Sequence, residues 1–260
     1  MKLTYCVSDL AYSAKQISEF LNLKNTLPGD TFSSMGNAIF SLYPTIREDE
    51  IRLLTQTELE EYCMDRLRYS YCVNRPKFAE KATTYQCMWD KYSDIVELSL
   101  GEIFQTDTTK SFSDMQARVT LCPICPRFLE DHAFDIFHQY SAEGALYLAM
   151  HEITHFLWFD TWSKLFNDSP DLYEQPHLPW IFSELAIDAI LSDPRLNHLI
   201  FNEEQAKFPA YAEFYEIYSD EGSLIKLFRN MFNQLSINDF MREGYRFLNQ
   251  NKSLFSPYFG

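Results

Sequence analysis

Ala149-Met150-His151-Glu152-Ile153-Thr154-His155-Phe156-Leu157 is the stretch that orders the rest of the chain. Its uncharged residues read as one buried helix, and on a helix His151 and His155 stand one turn apart on the same face. Two imidazoles so placed can reach one ion at about 2.0–2.1 Å, the nitrogen–zinc distance. Glu152 lies beside that face, where a carboxylate can take a proton from water held at the metal. The plain alternative is a pair of hydrogen-bonded core histidines. A buried helix carrying two histidines and a glutamate needs partners for them in either case.

The chain around this stretch has 260 residues, 46% of them apolar, enough for a sizeable core. Only 7 residues are glycine, and long alternating runs are few, which points to helices rather than a sandwich or barrel. The net charge of −15 argues against nucleic acid, whose phosphates need a basic footprint, and against an anionic membrane surface. No run of about 18 apolar residues offers a membrane span. Met1 to Asp9 lacks the apolar core of a signal peptide. A cytoplasmic protein with reduced thiols is the simplest reading of its six cysteines.

Residues 2–7 fit a short strand, and Ser8 or Asp9 can cap a helix to about Leu23, with Leu10, Ile17, Phe20 and Leu21 inward. Pro28-Gly29-Asp30 reads as a turn. Thr57 with Glu60 looks like a capping box for a helix to about Asn74, and Pro76 then opens a second helix through Trp89 towards Ile103. These elements make residues 1–105 a mainly helical region, and residues 106–260 follow the polar stretch at 104–115. Val119 and Leu121, alternating around Thr120, suggest a strand whose end Pro123 confines to a sheet edge. Ser141 can cap the helix of His151 and His155, which runs to about Leu165. Pro179 opens a further helix that Ser192-Asp193-Pro194 closes. Residues 208–250 read as further helices, rich in aromatics from Phe208 to Tyr245.

A catalytic zinc needs a third protein ligand and one open position. Glu184 sits on the helix opened by Pro179, with Asp188 one turn on, and a helix positions a ligand better than a loop does. One carboxylate can bind the ion while the other accepts the free N–H of a ligating imidazole. Glu174, in a proline-flanked loop, and His177 and His198 stand as alternatives.

His151-Glu152-x-x-His155 followed by Glu184-x-x-x-Asp188 resembles the gluzincin clan of zinc metallopeptidases, over about residues 117–192. The resemblance implies His151, His155 and Glu184 as zinc ligands, Glu152 as general base and Asp188 as support for a ligating histidine. It implies a zincin-like core of small sheet and active-site helix, which with the helix-rich composition and the helical N-terminal region, where the resemblance does not reach, makes a mostly helical α+β fold. It also implies a sheet-edge strand near Val119 on which a peptide or protein substrate pairs, an ordinary sheet strand being the alternative. The spacing from His155 to Glu184 is longer than in the commonest members, so the subfamily stays open. A zinc-bearing helical binding protein without catalysis is the competing reading. The intact Glu152 speaks against it, since a structural zinc has no use for that residue.

Other groups read more plainly. Cys122-Pro123-Ile124-Cys125 has no second pair for a structural zinc and sits at a strand end rather than a helix start, so it reads as packing thiols. His132 and His138 read as surface or capping residues. Tyr211, Tyr215, Tyr218 and Tyr245 are candidates to polarise an oxyanion, but tyrosines at helical spacing are usually core. Trp158 and Trp162, on the His155 side of the helix, read as core as well.

Overall fold

The computed structural model describes residues 1–22, 34–200, 214, 216–220 and 222–258. The turn expected at Pro28-Gly29-Asp30, and Phe208, Tyr211 and Tyr215 of the aromatic stretch, lie outside the described residues. The molecule is mostly helical with a small mixed sheet. No helix among the described residues is long and apolar enough to cross a membrane. The chain divides into two compact units, Lys2–Lys91 with Asp114–Leu146, and Tyr92–Ser113 with Tyr147–Gly260 and Met1. Each unit therefore draws on both sides of residue 105.

The first of these units holds the sheet. Strand β1 (Leu3–Val7) is followed by helices α1 (Leu10–Asn22), α2 (Ser34–Leu42) and α3 (Glu48–Ile51), and by the long helix α4 (Gln56–Phe104) as far as Lys91. Asp9 caps α1, its Oδ1 accepting the Tyr12 N–H at 2.7 Å. Ile17 and Leu21 point into the core, while Leu10 and Phe20 are only half-buried. Strands β2 (Met115–Thr120), β3 (Arg127–Phe128) and β4 (Ala133–Phe137) complete a sheet of order β1-β2-β4-β3. β1, β2 and β4 run parallel, and β3 is antiparallel to β4.

This order corrects the expected edge strand near Val119. β2 is internal, with Val119 paired to Val7 on one side and Ile136 on the other, so no ladder is left on which a peptide could add. Nor does Pro123 mark a sheet edge: it follows the strand, in the loop that leaves it. The sequence hid β4, because Ala133-Phe134-Asp135-Ile136-Phe137 is almost buried throughout and shows none of the alternation that marks a half-exposed strand.

α4 corrects a second expectation. It passes through Pro76 as one helix. The buried side chains keep helical phase across the proline: Leu59, Cys63 and Leu67 before it, Phe78, Ala82, Tyr85 and Trp89 after it. A helix-interior proline costs about 3 kcal/mol. Each large apolar side chain buried on that stripe returns about 1.5–3 kcal/mol, so burial outweighs the lost hydrogen bond. The capping box also sits two residues earlier than expected. The Thr55 N–H donates to Glu58 Oε2 at 2.9 Å, and Thr55 Oγ1 faces the Glu58 N–H at 3.4 Å.

Among its described residues the other unit is helical apart from a hairpin of two-residue strands, β5 (Tyr218–Ser219) with β6 (Gly222–Ser223). Its helices are the end of α4, α5 (Thr108–Ser111), α6 (Ala142–Phe166) from Tyr147 on, α7 (Leu178–Leu191), α8 (Pro194–Asn197), α9 (Leu224–Gln234) and α10 (Ile237–Gln250). The expected Ser141 cap forms, its Oγ accepting the Gly144 N–H at 3.0 Å. Pro179 lies in the first turn of α7. Ser236 caps α10 through the Asp239 N–H at 3.2 Å. α7 is buried along nearly its whole length, which is why it reads as a continuous apolar run.

A candidate metal centre between two buried helices

α6 carries His151, Glu152 and His155, and α7 carries Glu184. All four side chains are buried, with His155 completely enclosed. Here α6 has apolar residues on every side, from Leu148 to Phe159, so its polar groups meet protein rather than solvent. The two imidazoles stand edge to face, their Nε2 atoms 3.1 Å apart. Glu184 closes the triangle, with Oε1 3.2 Å from His155 Nε2 and Oε2 3.4 Å from His151 Nε2. Glu152 Oε1 lies 4.0 Å from His151 Nε2.

These distances fit a metal ion. Four ligands at the zinc–nitrogen and zinc–oxygen distance, arranged tetrahedrally, stand about 3.3 Å from one another. Two imidazole nitrogens and a carboxylate facing one point are also the donor types that bind a divalent transition metal. The His151/His155/Glu184 group could therefore hold an ion, and three protein ligands leave a position for a further one. Burial pushes the Glu184 carboxyl up, but the His155 and His151 imidazoles outweigh it and hold the group well below the usual carboxylate range.

Aromatic packing holds the two helices at this spacing. Phe182, two residues before Glu184, lies against Trp158 at 5.0 Å, Phe228 at 5.4 Å and Phe240 at 5.7 Å between ring centroids. On α10, Gly244 meets the tip of the same ring: a Cβ there would lie 2.3 Å from Phe182 Cζ. Glycine at 244 thus lets α10 approach the ligand-bearing helix. His155 stacks on Phe159, which stacks in turn on Tyr173. Trp158 and Trp162 are core, as their helical spacing suggests.

The alternative third ligands are elsewhere. Glu174 is exposed in the loop before α7, His177 is an exposed residue at the start of that helix, and exposed His198 sits with Nδ1 3.1 Å from the Pro194 carbonyl. Asp188 does not stand behind a histidine: its two oxygens accept Arg229 Nε at 2.8 Å and Nη2 at 3.0 Å. That partner lies 41 residues away and leaves no trace in local spacing. His138 is buried rather than superficial. Burial and the nearby Lys81 and Lys77 push it down to about 4, against the pull of the Thr120 carbonyl. Of the expected oxyanion donors, Tyr211 and Tyr215 are outside the described residues, Tyr218 is exposed, and Tyr245 packs edge-on against Trp162.

Sequence reading passed over Tyr147. It is buried one turn before His151, with ring centroids 6.3 Å apart. Burial and the charges of Asp188, Glu184 and Glu152 all raise its hydroxyl pKa, so it stays a protonated donor. Its four-residue spacing from His151 was the available signal. No family model, curated protein or solved structure matches this chain.

Proposed function

We propose that this protein is a zinc-dependent metallopeptidase of the gluzincin type, with zinc held by His151, His155 and Glu184. The observation that carries the reading is the meeting of these three ligand atoms within 4.8 Å of one another, beside the buried carboxylate of Glu152. A bound zinc ion supplies Lewis acidity, which polarises a substrate carbonyl and acidifies a water.

The chain's own residues do the rest. Glu152, next in sequence to His151, accepts a proton from the attacking water and returns it to the leaving amine nitrogen. Burial of Glu152 and Glu184 keeps bulk solvent from these carboxylates and strengthens each charge interaction among them. Peptides and proteins are the substrate class, since this chemistry serves an unactivated amide.

Glu152→Gln keeps shape and polarity but cannot take the proton. The variant is expected to bind zinc as the wild type does and to hydrolyse a mixed peptide library about 100- to 10,000-fold more slowly. Hydrolysis at the wild-type rate would overturn the role of Glu152. A zinc-bearing wild type with no turnover would favour a metal that only stabilises the fold, a role in keeping with such deeply buried ligands.

A further inference from the structure

A second group of reactive side chains lies in the sheet-bearing unit, where Cys122 and Cys125 flank Pro123-Ile124 in the loop from β2 to β3. Neither cysteine is in a disulfide. Both ends of the loop are pinned to β4. Thr120 O accepts the His138 N–H at 3.2 Å, and Pro126 O accepts the Asp135 N–H at 2.9 Å. Because β2 and β3 flank β4, the loop crosses from one side of that strand to the other, about two strand spacings or ~10 Å. The chain turns at once after β2, Thr120 Oγ1 accepting the Cys122 N–H at 3.0 Å, and Cys125 lies near enough for its charge to act on the Cys122 thiol. Within the loop the Ile124 N–H donates to the Cys122 sulfur.

Beneath the loop is Asp135, fully buried on β4. Its Oδ1 accepts the Tyr12 hydroxyl at 2.9 Å, while Oδ2 is buried with no hydrogen-bond partner. Such an oxygen is costly unless something supplies it with a proton. The charged and titratable groups that face Asp135 are Tyr12 and Glu19 of α1, Cys6 of β1, Arg118 of β2 and Cys122 of the loop. Arg118 donates to the Tyr12 hydroxyl at 2.9 Å and reaches Asp131, so it does not satisfy Oδ2. Burial pushes Asp135 up to about 7, against the pull of Tyr12 and Arg118, which makes its carboxylate a base matched to neutral pH. Cys122 is completely buried and Cys125 half-buried.

We infer that Cys122 and Cys125 form a reversible dithiol–disulfide pair, in which Cys125 meets the oxidant and Asp135 takes the proton of the resolving Cys122. The oxidant is a low-molecular-weight disulfide such as glutathione disulfide. Cys125 gives its proton to solvent and the thiolate attacks one sulfur of that disulfide; a Cys125–glutathione bond forms, the glutathione disulfide bond breaks, and one glutathione leaves as thiolate, which takes a proton from solvent. Cys122 then gives its proton to Asp135 and attacks the Cys125 sulfur. The Cys122–Cys125 bond forms, the mixed disulfide breaks, and a second glutathione leaves, recovering the proton from Asp135 through solvent. Two protein thiols lose two electrons, and one disulfide becomes two thiols. This site is independent of the zinc reading.

The test treats reduced, intact protein with glutathione disulfide, quenches it by alkylation and maps peptides by mass spectrometry. The expected product is a Cys122–Cys125 disulfide, reversed by dithiothreitol, whatever happens at exposed Cys72 and Cys87. Cys122→Ser should trap a lasting glutathione adduct on Cys125. Asp135→Asn should form that adduct at the wild-type rate but close it roughly 100-fold more slowly. Complete alkylation of Cys122 and Cys125 in treated wild type would overturn the pair, and needs no variant to fold. Closure at the wild-type rate in Asp135→Asn would overturn the role of Asp135.

Discussion

Glu184 and Asp135 are both buried carboxylates on regular elements, yet their surroundings drive them in opposite directions. Glu184 faces two imidazoles and is held well below the usual range. Asp135 has a tyrosine hydroxyl on one oxygen and nothing on the other, and burial raises it to about 7. Desolvation raises both groups; what differs is the partner that offsets it. The helical site could hold a cation between its carboxylate and imidazoles, and the sheet site can take up a proton. The meeting of two imidazoles with a carboxylate, which Asp135 lacks, is the reason to look for metal chemistry at α6 and α7.

The contrast breaks most severely if the cation site loses a donor. His155→Ala is expected to lower zinc affinity by more than about 100-fold, since the loss is of a ligand and not of a supporting residue. Peptide hydrolysis should fall with it. Competition against a zinc-sensitive dye measures the first, and an unchanged affinity would show that His155 is not a ligand.

The folded-state value of Asp135 is about 7, against an ordinary 3.8. Its contribution to stability is fully present below about pH 4 and is lost as pH rises to about 7, with no further change above. The span is roughly 4 kcal/mol at most. Denaturant melts of wild type and Asp135→Asn at several pH values should diverge across that window, the variant becoming the more stable at pH 7 and above. Parallel curves from pH 4 to 8 would contradict the raised value.

A smaller effect is expected at the packing that places Glu184. Gly244→Ala puts a methyl group into the tip of Phe182, whose ring cannot yield freely between Trp158, Phe228 and Phe240. Overpacking of this kind costs about 1–3 kcal/mol. Thermal unfolding should show the loss, and zinc affinity should weaken with it if Phe182 fixes the ligand helix. A destabilised variant with full affinity would separate packing from ligand placement.

What could be read from sequence follows the range of the interaction. The four-residue step from His151 to His155, the Ser141 cap and the proline at the start of α7 are local, and each is plain in the residues. Glu184 could be found because a helix with an acid at a buried position needs a reason for it. Long-range pairing could not be read. Whether β2 is edge or interior depends on β4, whose buried run hides its period, and the partner of Asp188 lies on a distant helix. Pro76 misled for a related reason: the local rule ends a helix there, but a stripe of buried side chains on both sides outweighs it.

The central claim is tested most directly by stripping the protein of metal and adding zinc back while following both binding and cleavage of a peptide library. The account predicts one zinc per chain, with hydrolysis rising in step and saturating at one equivalent. Full hydrolysis by verified metal-free protein, or no uptake of zinc at all, would contradict it.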